Sequence, residues 1–198
     1  MNTETVEVER LKNSDRLEML ELFTQAFKDH SLFPTLDVKP EAAGPLMKAF
    51  LDCFGGVNSV LLYGIRKEHN LVCASISLDS KVEPSKPALM RFIFALYRAL
   101  GWRIAKEFEV VHKEEPTYED RYLELLIFGT LPSYQRQGLG RRMLSFLYNE
   151  AKKEDYKGMI LVTDRNAPAF QLYLKEGFVV DKEFAMGGAA LCWMHLVF

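Results

Sequence analysis

Nowhere in this 198-residue chain do apolar residues run unbroken for the length that a membrane-crossing helix needs. The nearest candidate, Ala88–Ile104, is interrupted by Arg91, Arg98 and Arg103. Cysteine is scarce: Cys53, Cys73 and Cys192 are odd in number and widely spaced, which favours reduced thiols over a disulfide framework and supplies no metal-ligand spacing. Excess charge of one sign is missing too. A net charge of −2 gives no support to nucleic acid as a main partner. No internal repeat, low-complexity tract or linker divides the chain, so residues 1–198 read as a single domain. The opening MNTETVEVER is polar and acidic, unlike a secretion signal, and with reduced thiols it points to a cytoplasmic protein.

What is present is enough apolar mass for a core, 48% of residues, arranged with clear periods. Thr5–Arg10 alternates as a strand, and Asn13–Asp15 offers caps for a helix with Leu17, Leu20, Phe23 and Phe27 on one face. A second helix over Leu46–Phe54 is expected to end at Gly55-Gly56. Ser59–Arg66 and Leu71–Leu78 read as a hairpin through Lys67–Asn70. Between residues 79 and 120 lies an insert. Pro84 and Pro87 break the chain, and Leu89–Ile104 then recurs at helical spacing with a bend or stop expected at Gly101. An acidic run follows, from Glu107 to Asp120.

Tyr122–Leu131 fits a buried central strand, Leu139–Lys152 a helix, Gly158–Thr163 a second buried strand and Asn166–Lys175 a short helix closed by Gly177. Val179–Phe184 and Ala190–Val197 complete the chain through a Gly187-Gly188 turn. This order implies an α/β fold: a mixed β-sheet of about seven strands with helices on both faces.

Two short patterns about thirty residues apart carry the chemistry. Gln135-Arg136-Gln137-Gly138-Leu139-Gly140 leaves an apolar strand and opens a helix. Gly138 and Gly140 let the backbone approach a ligand closely, so the turn aims several N–H donors at one anion at the positive end of the helix. Arg136, Arg141 and Arg142 add charge suited to a pyrophosphate. In the second pattern, Asn166 and Tyr173 stand seven residues apart, about two helical turns. Alone, Asn166 reads equally well as a helix cap, and Tyr173 as a core aromatic with a tethered hydroxyl.

Taken together these residues resemble the GNAT superfamily of acetyl-CoA-dependent N-acetyltransferases. Its Arg/Gln-x-x-Gly-x-Gly/Ala signature is matched by Gln135, Gly138 and Gly140. The downstream Asn-x-x-Ala-x-x-x-Tyr-x-x-x-Gly-Phe is matched by Asn166, Ala169, Tyr173, Gly177 and Phe178. The resemblance is firm over Tyr122–Phe184 and does not account for the insert. It implies acetyl-CoA as co-substrate and no metal. Backbone groups around Phe128, Gly129 and Thr130 hold the pantetheine arm, the turn from Arg136 through Gln137, Gly138, Leu139 and Gly140 to Arg141 holds the pyrophosphate, and Asn166 sits beside the arm. Tyr173 is the implied general acid for the departing thiolate, a chemistry consistent with a phenol of ordinary pKa about 10.

The acceptor amine needs a base, because an alkyl amine is almost fully protonated at neutral pH. Glu124 is the candidate, acting directly or through water. It is a lone acid in an apolar strand, where burial raises a carboxyl pKa. Against this stands an outward-facing Glu124, or one paired with Arg121 or Arg103. His112 is an alternative base, and His30, His69 and His195 show no partner pattern. The acidic run offers attraction for a cationic amine, and the helix over the insert reads as core or as a lid over the acceptor cleft. Expected partners are a small-molecule or peptide amine, with neither nucleic acid nor membrane, and a monomer or a homodimer. A CoA-sensing module without turnover, or transfer of a longer acyl group, fits the same patterns.

Overall fold

The computed structural model describes residues 7–54 and 60–198. Seven strands form one sheet in the order β1-β2-β3-β4-β5-β7-β6. They are β1 Val8–Arg10, β2 Leu61–Lys67, β3 Asn70–Asp79, β4 Tyr122–Thr130, β5 Gly158–Asp164, β6 Val179–Met186 and β7 Ala189–Val197. All neighbours are antiparallel except β4 and β5, whose parallel pairing follows from the crossover helix between them. The expected α/β mixed sheet is therefore present. The start of the first expected strand, the helix end at Gly55-Gly56 and Ser59 lie outside the described residues.

Helices cover both faces. On one lie α1 Arg16–Phe27, α3 Ala43–Phe54 and α4 Lys86–Lys113, joined through the single turn α2 Leu32–Thr35. On the other lie α5 Leu139–Lys153 and α6 Pro168–Lys175, whose Met143, Leu144, Leu147, Phe170 and Tyr173 pack with Leu123 and Leu125 of β4. The inward face of α1 is rotated from the one its sequence suggests. Met19, Leu22 and Phe23 are buried, while Leu17 is 74% exposed, because the helix docks along β3 and β4.

The two hairpin turns differ in chemistry. Gly187 and Gly188 at β6–β7 have φ of 55° and 93°, as a two-residue hairpin turn requires. At β2–β3 the same left-handed positions are held by Glu68 and His69, φ 48° and 68°.

The insert is one long outer helix bent at Gly101, as the lone glycine suggested, but it continues through the acidic residues to Lys113. Gly101 has φ 80° and ψ 164°, a conformation that L side chains avoid, while a Cβ there would meet nothing within 4 Å. Gly101→Ala is thus expected to cost backbone strain alone. That is about 1–3 kcal/mol, or a melting midpoint lowered by roughly 2–10 °C, read in a thermal melt.

Candidate active site

The central feature is a parting of two strands. β4 and β5 pair only over Tyr122–Glu124 against Gly158–Ile160, although both strands run on beyond that point. Meanwhile β4 stays bonded to β3, and β5 stays bonded to β7 out to Asp164. From Leu125 onward a wedge therefore opens at the carboxyl ends of the parallel strands, the place where α/β sheets receive ligands.

Strand register decides which backbone groups face the wedge. The Leu131 N–H donates to the Val72 carbonyl at 2.9 Å, so alternate residues Gly129 and Ile127 bond to β3. Phe128 and Thr130 turn their N–H groups to the open side. Gly129 has a different use: a Cβ there would lie 3.1 Å from Ala26 and Phe23, so its bareness seats α1 on the strand.

A bulge fixes the rest. Ile76 pairs with Ile127 and Ser77 with Leu125, leaving Leu126 as the extra residue on β4. Leu123 and Leu125 face α5. Beyond the bulge it is Phe128 that faces α5, while Ile127 joins the opposite core. Glu124 therefore lies on the face covered by α1 and α4, in one row with its partner Ile160 and, on β7, His195.

Below the wedge, β4 leads through Pro132–Tyr134 into the glycine turn. Arg136 has φ 63° and Gly138 has φ 81°, so two left-handed residues curl the backbone around a concave centre. The first helical bond of α5 runs from the Arg142 N–H to the Gly138 carbonyl at 3.0 Å. The N–H groups of Gly138, Leu139 and Gly140 thus have no carbonyl one turn back. Space is reserved here too: nothing lies within 4 Å of a Cβ built on Gly138, and one on Gly140 would meet Leu172 at 3.2 Å and Phe128 at 3.4 Å.

The side chains of the turn are partly engaged. Gln135 donates to the Thr130 carbonyl at 3.1 Å, and Gln137 donates to the Ser133 carbonyl at 3.2 Å and accepts from Lys67 at 3.0 Å. Arg141 pairs with Glu176 at 2.7 Å, while Arg136 and Arg142 are exposed. Lys67, on the β2–β3 hairpin, is a cation at this turn that sequence reasoning missed. No local pattern links it to residue 137.

The mouth of the wedge is a cleft of about 300 Å³ lined by Gln25, Ala26, His30, Ser31, Gln135 and Pro168, among others. His30 stacks on Phe27, and burial lowers its pKa from the ordinary value against the pull of Asp164. Asn166 is exposed at the β5 end. Its N–H donates to Asp164, and the residue capping α6 is Ala167, so the cap reading of Asn166 does not apply. Tyr173 is buried on α6, its ring edge-on to Phe178 at 5.5 Å. Burial holds its phenol well above the ordinary value, and the ionisable Tyr148 and Cys73 nearby push it the same way.

On the opposite side of the sheet, among the described residues, the Glu124 carboxylate has no hydrogen-bond or ion-pair partner. Arg121 is taken by Asp79, and Arg103 donates to the Leu36 carbonyl. Burial lifts the Glu124 pKa to about 7, with the Glu115 carboxylate adding to the effect. Three of the six acids in the acidic run are already engaged. Glu107 accepts from the Gly187 N–H, Glu109 meets Lys113 and Glu114 meets Lys182. His112 is exposed beside Glu115.

The same face carries a cluster that sequence reasoning missed. Asp181 accepts from Tyr118 at 2.6 Å and holds Nδ1 of His195. His195 thus has a partner after all, brought from the next strand. The second half of α4 roofs this face. Val111 packs on Tyr122, Ile160 and Trp193, and its carbonyl accepts from the Trp193 indole at 3.1 Å.

The model of a GNAT acetyltransferase domain matches residues 104–180, which hold the wedge, the glycine turn and α6. No curated protein matches the sequence. Solved structures share the fold at low identity. An arylalkylamine N-acetyltransferase 2 from Aedes aegypti superposes with a TM-score of 0.69 at 11% identity over 98% of this chain and 99% of its own. A histone acetyltransferase HPA2-related acetyltransferase from Corynebacterium glutamicum gives 0.67 at 16%, over 96% and 94%. An N-acetyltransferase from Thermoplasma acidophilum, solved with coenzyme A, gives 0.58 at 14%, over 98% and 99%.

Proposed function

From a chain that has the GNAT fold and carries the GNAT acetyltransferase domain over residues 104–180, we propose an N-acetyltransferase that uses acetyl-CoA to acetylate a primary amine. The observation that supports this most is the wedge between β4 and β5, open beyond Glu124 and Ile160 and continuous with the amide cradle at Gly138–Gly140.

Acetyl-CoA supplies the activated thioester. The amides of Gly138, Leu139 and Gly140, with Arg136, fit its diphosphate, and Lys67 adds a further cation. The open N–H groups of Phe128 and Thr130 fit the amide carbonyls of the pantetheine arm, and one of them suits the oxygen that gains charge at the thioester. Gln137 and Leu139 shape the turn, Arg141 is braced by Glu176, and Asn166 stands free beside the arm. Gly129 contributes through packing.

Glu124, on the other side of β4, receives the proton from the acceptor ammonium, directly or through water. With a pKa of about 7 it is balanced between holding and releasing that proton at neutral pH. The attacking nitrogen forms its bond to the acetyl carbon as the carbon–sulfur bond breaks, and Tyr173 gives its phenol proton to the leaving sulfur. Burial raises its pKa above the ordinary phenol value assumed from sequence, so the phenol is neutral throughout the working range but a weaker acid toward the thiolate than an exposed tyrosine. The acceptor enters beneath α4, among Glu124, Tyr118 and His195, a polar lining suited to a small-molecule or peptide amine. Three buried, unbridged cysteines suit a cytoplasmic setting.

Calorimetric titration with coenzyme A, followed by thiol release from acetyl-CoA with a panel of amines, tests the reading. Tyr173→Phe should bind coenzyme A as the parent does and lose about 10²-fold or more in kcat. Coenzyme binding with turnover undetectable across the panel would leave a CoA-sensing module in place of an enzyme.

A further inference from the structure

We propose that the first half of α4 docks on the surface of an anionic phospholipid bilayer, independently of the acetyl-transfer reading. Ala88, Phe92 and Leu96 turn inward, Phe92 lying against Phe50 at 4.9 Å. The opposite face should then be polar, and it is not. Met90, Ile93, Phe94 and Tyr97 form an i, i+3, i+4, i+7 stripe in open solvent, with Met90 73% and Phe94 60% exposed. Beyond the bend at Gly101 the stripe continues in Trp102, 60% exposed and edge-on to Tyr97 at 6.1 Å. A contiguous apolar face of this kind marks an interaction surface.

Charge selects the occupant. From residue 84 to residue 106 there are five basic side chains, Lys86, Arg91, Arg98, Arg103 and Lys106, and no acidic one, in a chain of net charge −2. None of the five makes an ion pair among the described residues; Arg103 bonds a carbonyl, and Lys106 lies over the Trp102 ring at 5.1 Å. A second copy applied to this face would bring the two sets of cations together with no carboxylate in the segment to answer them. A bilayer carrying acidic headgroups answers them, and it accepts a convex apolar stripe edged by Tyr and Trp. The arginines that bar this helix from crossing a membrane favour its lying on one, and the proposal departs from the sequence expectation of no membrane partner.

Co-sedimentation of the full chain with vesicles tests this, comparing phosphatidylcholine alone with phosphatidylcholine–phosphatidylserine mixtures. Partitioning should be at least about tenfold stronger on the mixture and should fall back at high salt. Phe94→Glu with Trp102→Glu should abolish binding while the thermal melt is unchanged. Arg91→Gln with Arg98→Gln, which leaves the apolar stripe intact, should weaken binding to the mixture only. Equal binding to both vesicle types, or binding to neither, would overturn the proposal. So would a light-scattering mass of two chains that the Phe94 and Trp102 changes reduce to one, since a second copy would then cover the face.

Discussion

Glu124→Gln is expected to lower kcat by about 10²–10³-fold while leaving coenzyme A affinity unchanged, because the amide keeps the shape of the side chain and loses its proton acceptor. The pH dependence supplies a sharper test. The parent carboxyl has a pKa of about 7, so kcat/KM should climb as pH rises through 7 and level off above it. In the variant that limb should vanish. The same substitution should act on stability with the opposite sign. A carboxyl whose folded pKa lies above its unfolded value of about 4.5 costs the fold nothing below that value. It weakens the fold progressively between the two and by a constant amount above 7. At about 1.4 kcal/mol per tenfold in proton affinity, glutamine should stabilise the protein by about 3 kcal/mol at pH 8 and by little at pH 4. Melting curves at the two pH values decide this. A Glu124→Gln variant less stable at pH 8 than the parent would show that the carboxylate has a partner after all.

Gly138→Val is expected to reduce coenzyme A affinity by at least about 100-fold. A φ of 81° is costly for any L residue and most costly for a β-branched one, so the turn must rearrange. Rearrangement re-aims the amides of Gly138, Leu139 and Gly140. Hydrogen bonds to a charged group are worth about 1.5–3 kcal/mol each, so the loss of two accounts for the expected drop. Because no atom lies within 4 Å of the new Cβ, the core is untouched and the chain should stay folded, with a penalty of about 1–2 kcal/mol. Isothermal titration with coenzyme A, run alongside a thermal melt, separates the two effects. Retention of full affinity would remove the turn from the cofactor site. Arg136→Ala, by contrast, removes a single exposed cation and should cost about tenfold or less.

These expectations rest on features of unequal legibility. The glycine turn could be read directly, because its requirements are local: a left-handed residue at 138, a close approach at 140 and a helix immediately after. The helix break at Gly101 and the Gly187-Gly188 turn were legible for the same reason. The facing of the residues on β4 was not. Simple alternation from Tyr122 would place Phe128 with Glu124, and the bulge at Leu126 reverses that. Nor did the sequence show that Asp181 serves His195 fourteen positions later while also binding Tyr118 sixty-three positions earlier. Such partners depend on which strands become neighbours. The continuation of α4 through Glu107–Lys113 was hidden because Glu107 bonds the β6–β7 turn and Glu114, just past the helix end, pairs with Lys182 of β6, both far away along the chain.

The sequence by itself determined the order of elements and the chemistry available at residues 124, 135–142, 166 and 173, since dihedral limits and side-chain type act over a few residues. Tertiary structure alone decided that β4 and β5 part after Glu124, and that this carboxyl sits uncompensated under α4. It alone decided that the other face of that helix is left bare. Each depends on backbone register and burial, which arise only when segments distant along the chain compete for the same space.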